Sequence, residues 1–192
     1  AWNSDGQILA SGSSDRTVQL IDTLADNGCD NKNPLSRVFV GQDSTQPIER
    51  VLCVAWNPAR TSLLAVSFAD PARPVLIYDT DAPDKVPCLL EEPKEYVYSV
   101  AWSPDGTKLA GGAQDGVVYV WDITVDHTIR TSPWITSEVQ LKVKPICDDK
   151  SQGKDLLKGS LKKATGAIMS VAWNSTGKSL AIGSADATLF AL

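Results

Sequence analysis

Between Tyr96 and Asp122 the chain reads YVYSVAWSPDGTKLAGGAQDGVVYVWD, and its apolar positions recur with the spacing of strands. Tyr98, Val100 and Trp102 fall on one face of a first predicted strand, with Val97, Ser99 and Ala101 on the other. Pro104, Asp105 and Gly106 break the run, since Pro presets φ for a tight turn and Gly accepts a positive φ. A second strand of small residues is predicted over Leu109 to Ala113, then a turn at Gln114, Asp115 and Gly116, then a third strand over Val117 to Trp121. That third strand is apolar on both faces, with Val117, Tyr119 and Trp121 on one and Val118 and Val120 on the other. A strand of this kind must be covered on both sides.

Three other segments repeat the plan: AWNSDGQILASGSSDRTVQLID from Ala1 to Asp22, VAWNPARTSLLAVSFADPARPVLIYD from Val54 to Asp79, and VAWNSTGKSLAIGSADATLFAL from Val171 to Leu192. The interval from the first-strand tryptophan to the turn aspartate is 13 residues from Trp2 to Asp15, Trp102 to Asp115 and Trp173 to Asp186, and 14 from Trp56 to Asp70. Four near-equal intervals with matching chemistry at both ends identify a repeat array. Its repeats are placed near 1–53, 54–96, 97–168 and 169–192, the last truncated. Outer fourth strands are predicted at Arg37 to Val40, at Val86 to Leu90, and where Val139, Leu141 and Val143 alternate with Gln140, Lys142 and Lys144.

The pattern resembles the WD-repeat (WD40) β-propeller family. The resemblance is carried by the pair Trp121 and Asp122, the SPDG turn from Ser103 to Gly106, and the turn aspartates Asp15, Asp70, Asp115 and Asp186. It implies an all-β fold, a β-propeller of four-stranded antiparallel blades, with this chain supplying about four repeats of a larger ring expected to have seven blades. At 192 residues the chain is too short to close such a ring at about 40 to 45 residues per blade, and the register begins and stops within strands, so a portion of a longer propeller chain is expected. The family's buried set of His, Ser or Thr, Asp and Trp is only partly present. No copy carries the His, Ser13 and Ser184 fit the hydroxyl position where Phe68 and Ala113 stand in the other copies, and the Trp position holds Ile21, Tyr78, Trp121 and Leu192. The aspartates are therefore expected to cap their turns through backbone N–H groups.

Composition narrows the function classes. With 43% hydrophobic and 21% charged residues the chain has the make-up of a soluble globular protein, and its net charge of −5 argues against binding duplex nucleic acid by phosphate neutralisation. No 18-residue apolar run exists, and no membrane partner is expected. Cys29, Cys53, Cys88 and Cys147 are widely separated without a CxxC pair, which favours reduced thiols in cytoplasm or nucleus. Asn174, Ser175 and Thr176 form a sequon with nothing else pointing to secretion. The chain's one histidine, His127, lies beside no nucleophile motif, and there is no GxxxxGK[ST], HExxH or GxSxG. Glu91 with Glu92 and Asp148 with Asp149 lie in polar linkers, so neither a catalytic residue, a cofactor, a metal site nor a small-molecule substrate is expected.

What remains is an interaction module. Up-and-down strands put the SPDG-type turns on one rim and the aspartate turns on the other. On the aspartate rim Arg16, Arg73 and Gln114 are the candidate partner contacts, with Arg16 and Arg73 expected to meet an acidic or aromatic segment. The connector before the fourth copy carries Lys150, Lys154, Lys158 and Lys162 at intervals of four. It reads as a solvated loop, or as a docking surface for an acidic helix or a nucleic-acid backbone. Resemblance to the family implies a non-enzymatic scaffold for other proteins within a multisubunit assembly. The alternatives are a reader of short peptide motifs or substrate receptor, and the propeller portion of a larger enzyme with its chemistry outside these residues.

Overall fold

In the computed structural model, residues 1–23, 37–39, 49–83, 87–90, 93–126, 140–145 and 165–191 are described. They form four antiparallel sheets. The first holds β1 (Ile8–Gly12), β2 (Val18–Asp22) and β3 (Arg37–Phe39). The second holds β4 (Val51–Trp56), β5 (Leu63–Phe68), β6 (Val75–Asp79) and β7 (Cys88–Leu90). The third holds β8 (Val97–Trp102), β9 (Lys108–Ala113), β10 (Val118–Asp126) and β11 (Gln140–Pro145), and the fourth β12 (Ile168–Trp173), β13 (Leu180–Ser184) and β14 (Leu189–Ala191). Neighbours in sequence are neighbours in each sheet, as short turns between alternating strands require. Trp2 adds a bridge to Leu9 ahead of β1.

Each sheet packs face to face on the next, and three apolar clusters fill the gaps. Between the first and second sheets lie Ala10, Val18, Leu20, Trp56, Leu64, Val66, Phe68 and Tyr78. Between the second and third lie Ala65, Val75, Ile77, Val97, Val100, Trp102, Leu109 and Trp121. Between the third and fourth lie Ala110, Val118, Ile168, Val171, Leu180 and Ile182. β10 is thus covered on both sides: Tyr119 and Trp121 face one cluster, their rings stacked at 6.0 Å, while Val118 and Val120 face the other.

The first strands depart from simple alternation. Each of β4, β8 and β12 carries a β-bulge, between Val51 and Cys53, Val97 and Ser99, and Ile168 and Ser170. An inserted residue reverses which side chains face which way, so Val97, not Tyr98, joins Val100 and Trp102 in the core. The same spacing gives Val51, Val54 and Trp56 on one face, and Ile168, Val171 and Trp173. The bulged residue meets a small one on the preceding sheet. A Cβ on Gly12 would run into the Val51 side chain, and one on Gly112 would come within 2.5 Å of Ile168 Cγ2. Ser67 stands at the matching position of the second copy, fully buried, its hydroxyl without a hydrogen-bond partner among the described residues.

A recurring polar contact fixes the register between sheets. Trp56 Nε1 donates to the Ala1 carbonyl at 3.2 Å, Trp102 Nε1 to Ala55 at 3.0 Å, and Trp173 Nε1 to Ala101 at 3.1 Å. Each acceptor is the alanine that precedes the corresponding tryptophan one sheet earlier. Asn57 adds a second tie, its side chain fully buried and its Nδ2 donating to the Gly106 carbonyl at 2.9 Å.

Trp102→Phe keeps an aromatic ring but removes the indole N–H that the Ala55 carbonyl accepts, and is expected to lower stability by about 1 to 3 kcal/mol. Trp102→Ala is expected to lower it by about 3 to 5 kcal/mol, because it also vacates core volume. Denaturant melts of the full-length protein measure both, and a Trp102→Phe protein as stable as wild type would show that the hydrogen bond contributes nothing.

Candidate functional site

The turns that join the second and third strands of each sheet lie at the same end as the segments leading into the first strands, and backbone hydrogen bonds tie the two sets together. Val51 N donates to Ser13 O at 3.1 Å, Ala69 N to Arg50 O at 2.9 Å, Gln114 N to Tyr96 O at 2.8 Å, and Ala185 N to Ala167 O at 2.8 Å. Each turn of this rim is therefore tied by backbone, just ahead of its aspartate, to a segment that leads into a first strand. At the opposite end, the residue after each first-strand tryptophan closes the turn below it. Asn3 Oδ1 accepts from Gln7 and Ile8 N–H, Asn57 Oδ1 from Ala59 and Arg60, Ser103 Oγ from Lys108, and Asn174 Oδ1 from Lys178 and Ser179.

All four turn aspartates accept a backbone N–H two residues on, the geometry of an Asx turn. The donors are Thr17 at 2.9 Å for Asp15, Ala72 at 2.9 Å for Asp70, Val117 at 3.0 Å for Asp115 and Thr188 at 3.0 Å for Asp186. Each carboxylate has a further donor: the Thr17 hydroxyl, Arg73 Nε at 3.0 Å, the Tyr119 hydroxyl at 2.8 Å, and for Asp186 the hydroxyls of Thr188 and Thr165 with the Thr165 N–H. Trp121, fully buried, packs beneath the Tyr119 ring that reaches Asp115.

The turns differ in what they present. Arg16, Gly116 and Ala187 occupy the same turn position, at φ of 75°, 77° and 65°, a region that only glycine enters without strain. Arg16 and Gln114 are exposed, Gln114 accepting from the Tyr98 hydroxyl at 3.1 Å. Arg73 is different: paired with Asp70 inside its own turn, with side chains 17% and 14% exposed, it serves the turn before it can serve a partner. Lys150, Lys154, Lys158 and Lys162 lie outside the described residues. Sequence reasoning overlooked Glu49, Arg50 and Tyr96, which with Ala69, Asp70 and Pro71 line an open cleft of about 510 Å³ between the second and third sheets. They stand in the segments leading into β4 and β8, where no motif marks them; the repeat phase alone could have put them on this rim.

Hydrogen bonds from Thr17, mainly its hydroxyl, hold Asp15 below the usual carboxylate range, and the Thr188 hydroxyl does so most strongly for Asp186. On the opposite rim the Ser103 hydroxyl has the same effect on Asp105. Depressed carboxyl pKa values favour the fold above the unfolded value near 4, and the contribution is lost as pH falls through the folded values. Stability is therefore expected to fall below about pH 4, and Asp186→Asn to flatten that limb in melts between pH 6 and 2. Asp115→Ala leaves the Val117 N–H and the Tyr119 hydroxyl without their acceptor, and a loss of about 1 to 3 kcal/mol in denaturant melts is expected.

Comparison with known proteins agrees with this architecture. The WD40 family, described as WD domain, G-beta repeat, matches residues 1–22, 86–122 and 156–190. Mouse WD repeat-containing protein 1 is 34% identical over 86 residues, covering 43% of this chain and 14% of that protein. Probable cytosolic iron-sulfur protein assembly protein 1 of Kluyveromyces lactis is 28% identical over 133 residues, covering 63% of this chain and 36% of its own length. Arabidopsis thaliana cell division cycle 20.1, cofactor of APC complex, is 28% identical over 137 residues, covering 70% and 26%. The chain thus spans well under half the length of these relatives. A chain in a crystal structure of the mitotic checkpoint complex superposes with a TM-score of 0.63 at 19% identity, over all of this chain and 47% of that one, which shows the fold. Repeats, turns and inter-sheet packing together place the chain in the WD40 β-propeller family.

Proposed function

We propose that this chain is a non-enzymatic protein-interaction module of a multisubunit assembly, working in cytoplasm or nucleus, with the aspartate-turn rim as its contact surface. WD40 propellers bind other proteins as a family, and the relatives named for iron-sulfur protein assembly and for the APC complex are in keeping with a role inside assemblies. The observation that carries the reading is the contrast between the two layers of the rim. Its aspartates are consumed by the turns, while exposed side chains above them differ from blade to blade, from Arg16 to Gln114 to Ala187. Rigid backbone under varied side chains lowers the ordering cost of binding and lets each blade add its own specificity. Reading a short peptide motif is the second possibility, favoured by the cleft at Tyr96.

In the full-length protein, Arg16→Glu with Gln114→Lys is expected to remove partners from quantitative pull-downs while the melt stays within the small change usual for surface substitutions, about 0.5 kcal/mol. Lys178→Glu, on the opposite rim, is the control and is expected to keep them. A double variant that retained every partner would dismiss this rim as the contact surface.

A further inference from the structure

We infer that the cleft between the second and third blades takes an extended acidic segment of a partner protein, gripped by the guanidinium groups of Arg50 and Arg16 and laid against Tyr96. The inference rests on the interaction-module reading and specifies its ligand. The cleft is built from two blades. The Ala69 N–H to Arg50 O bond closes one wall, the Gln114 N–H to Tyr96 O bond fixes the other, and the Val51 N–H to Ser13 O bond holds the Arg16 turn beside the segment that carries Glu49 and Arg50. A peptide entering it would meet preformed walls.

Its hydrogen-bonding capacity is one-sided. Asp70 has both carboxylate oxygens engaged, by Ala72 N–H and by Arg73, and Asp15 receives the Thr17 N–H and hydroxyl. Arg16 and Arg50 are exposed and make no ion pair among the described residues, so two planar donor forks stand available beside acceptors that are largely taken. Glu49, also exposed, is the cleft carboxylate not so engaged among the described residues, and together with Asp15 it holds the local charge close to even. Recognition is accordingly directional, by paired N–H donors to carboxylates, and not a matter of bulk field. Tyr96 and Arg50 on the lining are also of the residue types that dominate contact energy in interfaces.

The backbone under Arg16 supplies a variant that removes the side chain without cost to the fold. The third copy has Gly116 in the same conformation, and a glycine at residue 16 would relieve the strain that Arg16 imposes at φ of 75°.

The test uses purified full-length protein and fluorescence anisotropy with a labelled octapeptide of alternating Glu and Leu. A Lys-Leu octapeptide and an oligothymidine of equal length serve as competing chemistries. Arg50→Ala and Arg16→Gly are each expected to weaken the Glu-Leu peptide about tenfold, the loss of one charge-assisted contact. Arg16→Gly is expected to melt no lower than wild type, which separates lost contact from lost fold, and Ala187→Gly is expected to leave binding unchanged. Unaltered binding in both arginine variants, equal binding of the Lys-Leu peptide, or preference for the oligothymidine would each overturn the inference. Should the peptide fail while the Arg16→Glu and Gln114→Lys protein still loses its partners in pull-downs, the acidic segment is refuted and the interaction module stands.

Discussion

The indole N–H to carbonyl bond between successive first strands is the constraint on which the stack depends. Apolar faces attract without direction, so three clusters of Val, Leu, Ile and Trp would tolerate sliding of one sheet over another. A buried indole N–H tolerates much less, because it must find an acceptor. Trp56, Trp102 and Trp173 each find it on the alanine one blade back, and a side chain as small as Ala leaves room for the ring. The dipeptide Ala-Trp therefore works in both directions, its carbonyl serving the next blade and its indole serving the preceding one. Every rim turn inherits its position from that register.

The bulges complete the fit. By turning Val51, Val97 and Ile168 to the same side as the valine and tryptophan that follow, they give each first strand three anchors in place of two, and the anchor nearest the aspartate rim meets Gly12 or Gly112. Ser67 shows what this geometry demands. A hydroxyl buried without a partner among the described residues is costly, yet the position keeps a small side chain, as Gly12 and Gly112 do in the neighbouring copies.

Strands and turns were legible in the sequence because alternation, SPDG-type breaks and the two-sided apolar run of β10 are local signals. The bulge was not legible as alternation, since a period of two assigns Tyr98 to the core and Val97 away from it. Only the spacing of Val97, Val100 and Trp102, repeated in Val51, Val54 and Trp56, carries it. The ladder escaped for a different reason: tryptophan was read as apolar volume, and its one donor had no visible acceptor until the sheets were placed side by side. At the rim, the Asx chemistry of the aspartates followed from their turns, whereas the two arginines looked equivalent. What separates them is the lengthened second turn, in which Ala72 and Arg73 both reach back to Asp70 and the guanidinium is used internally.

The four copies thus divide their positions by physical role. Where a residue sets register between blades, the chemistry repeats: Ala before Trp, Asn or Ser after it, a small residue beneath the bulge, Asp at the turn. Where a residue only crowns a turn, the copies diverge, and they diverge even at a position whose φ favours glycine, occupied by Arg16, Gly116 and Ala187 in turn. A position that repeats its backbone conformation while changing its side chain is free of the demands of folding, since the fold would be served best by glycine each time. The rim is therefore the part of the molecule in which one blade can differ from the next without disturbing the stack, and that freedom exists because the register is secured elsewhere, by the indoles.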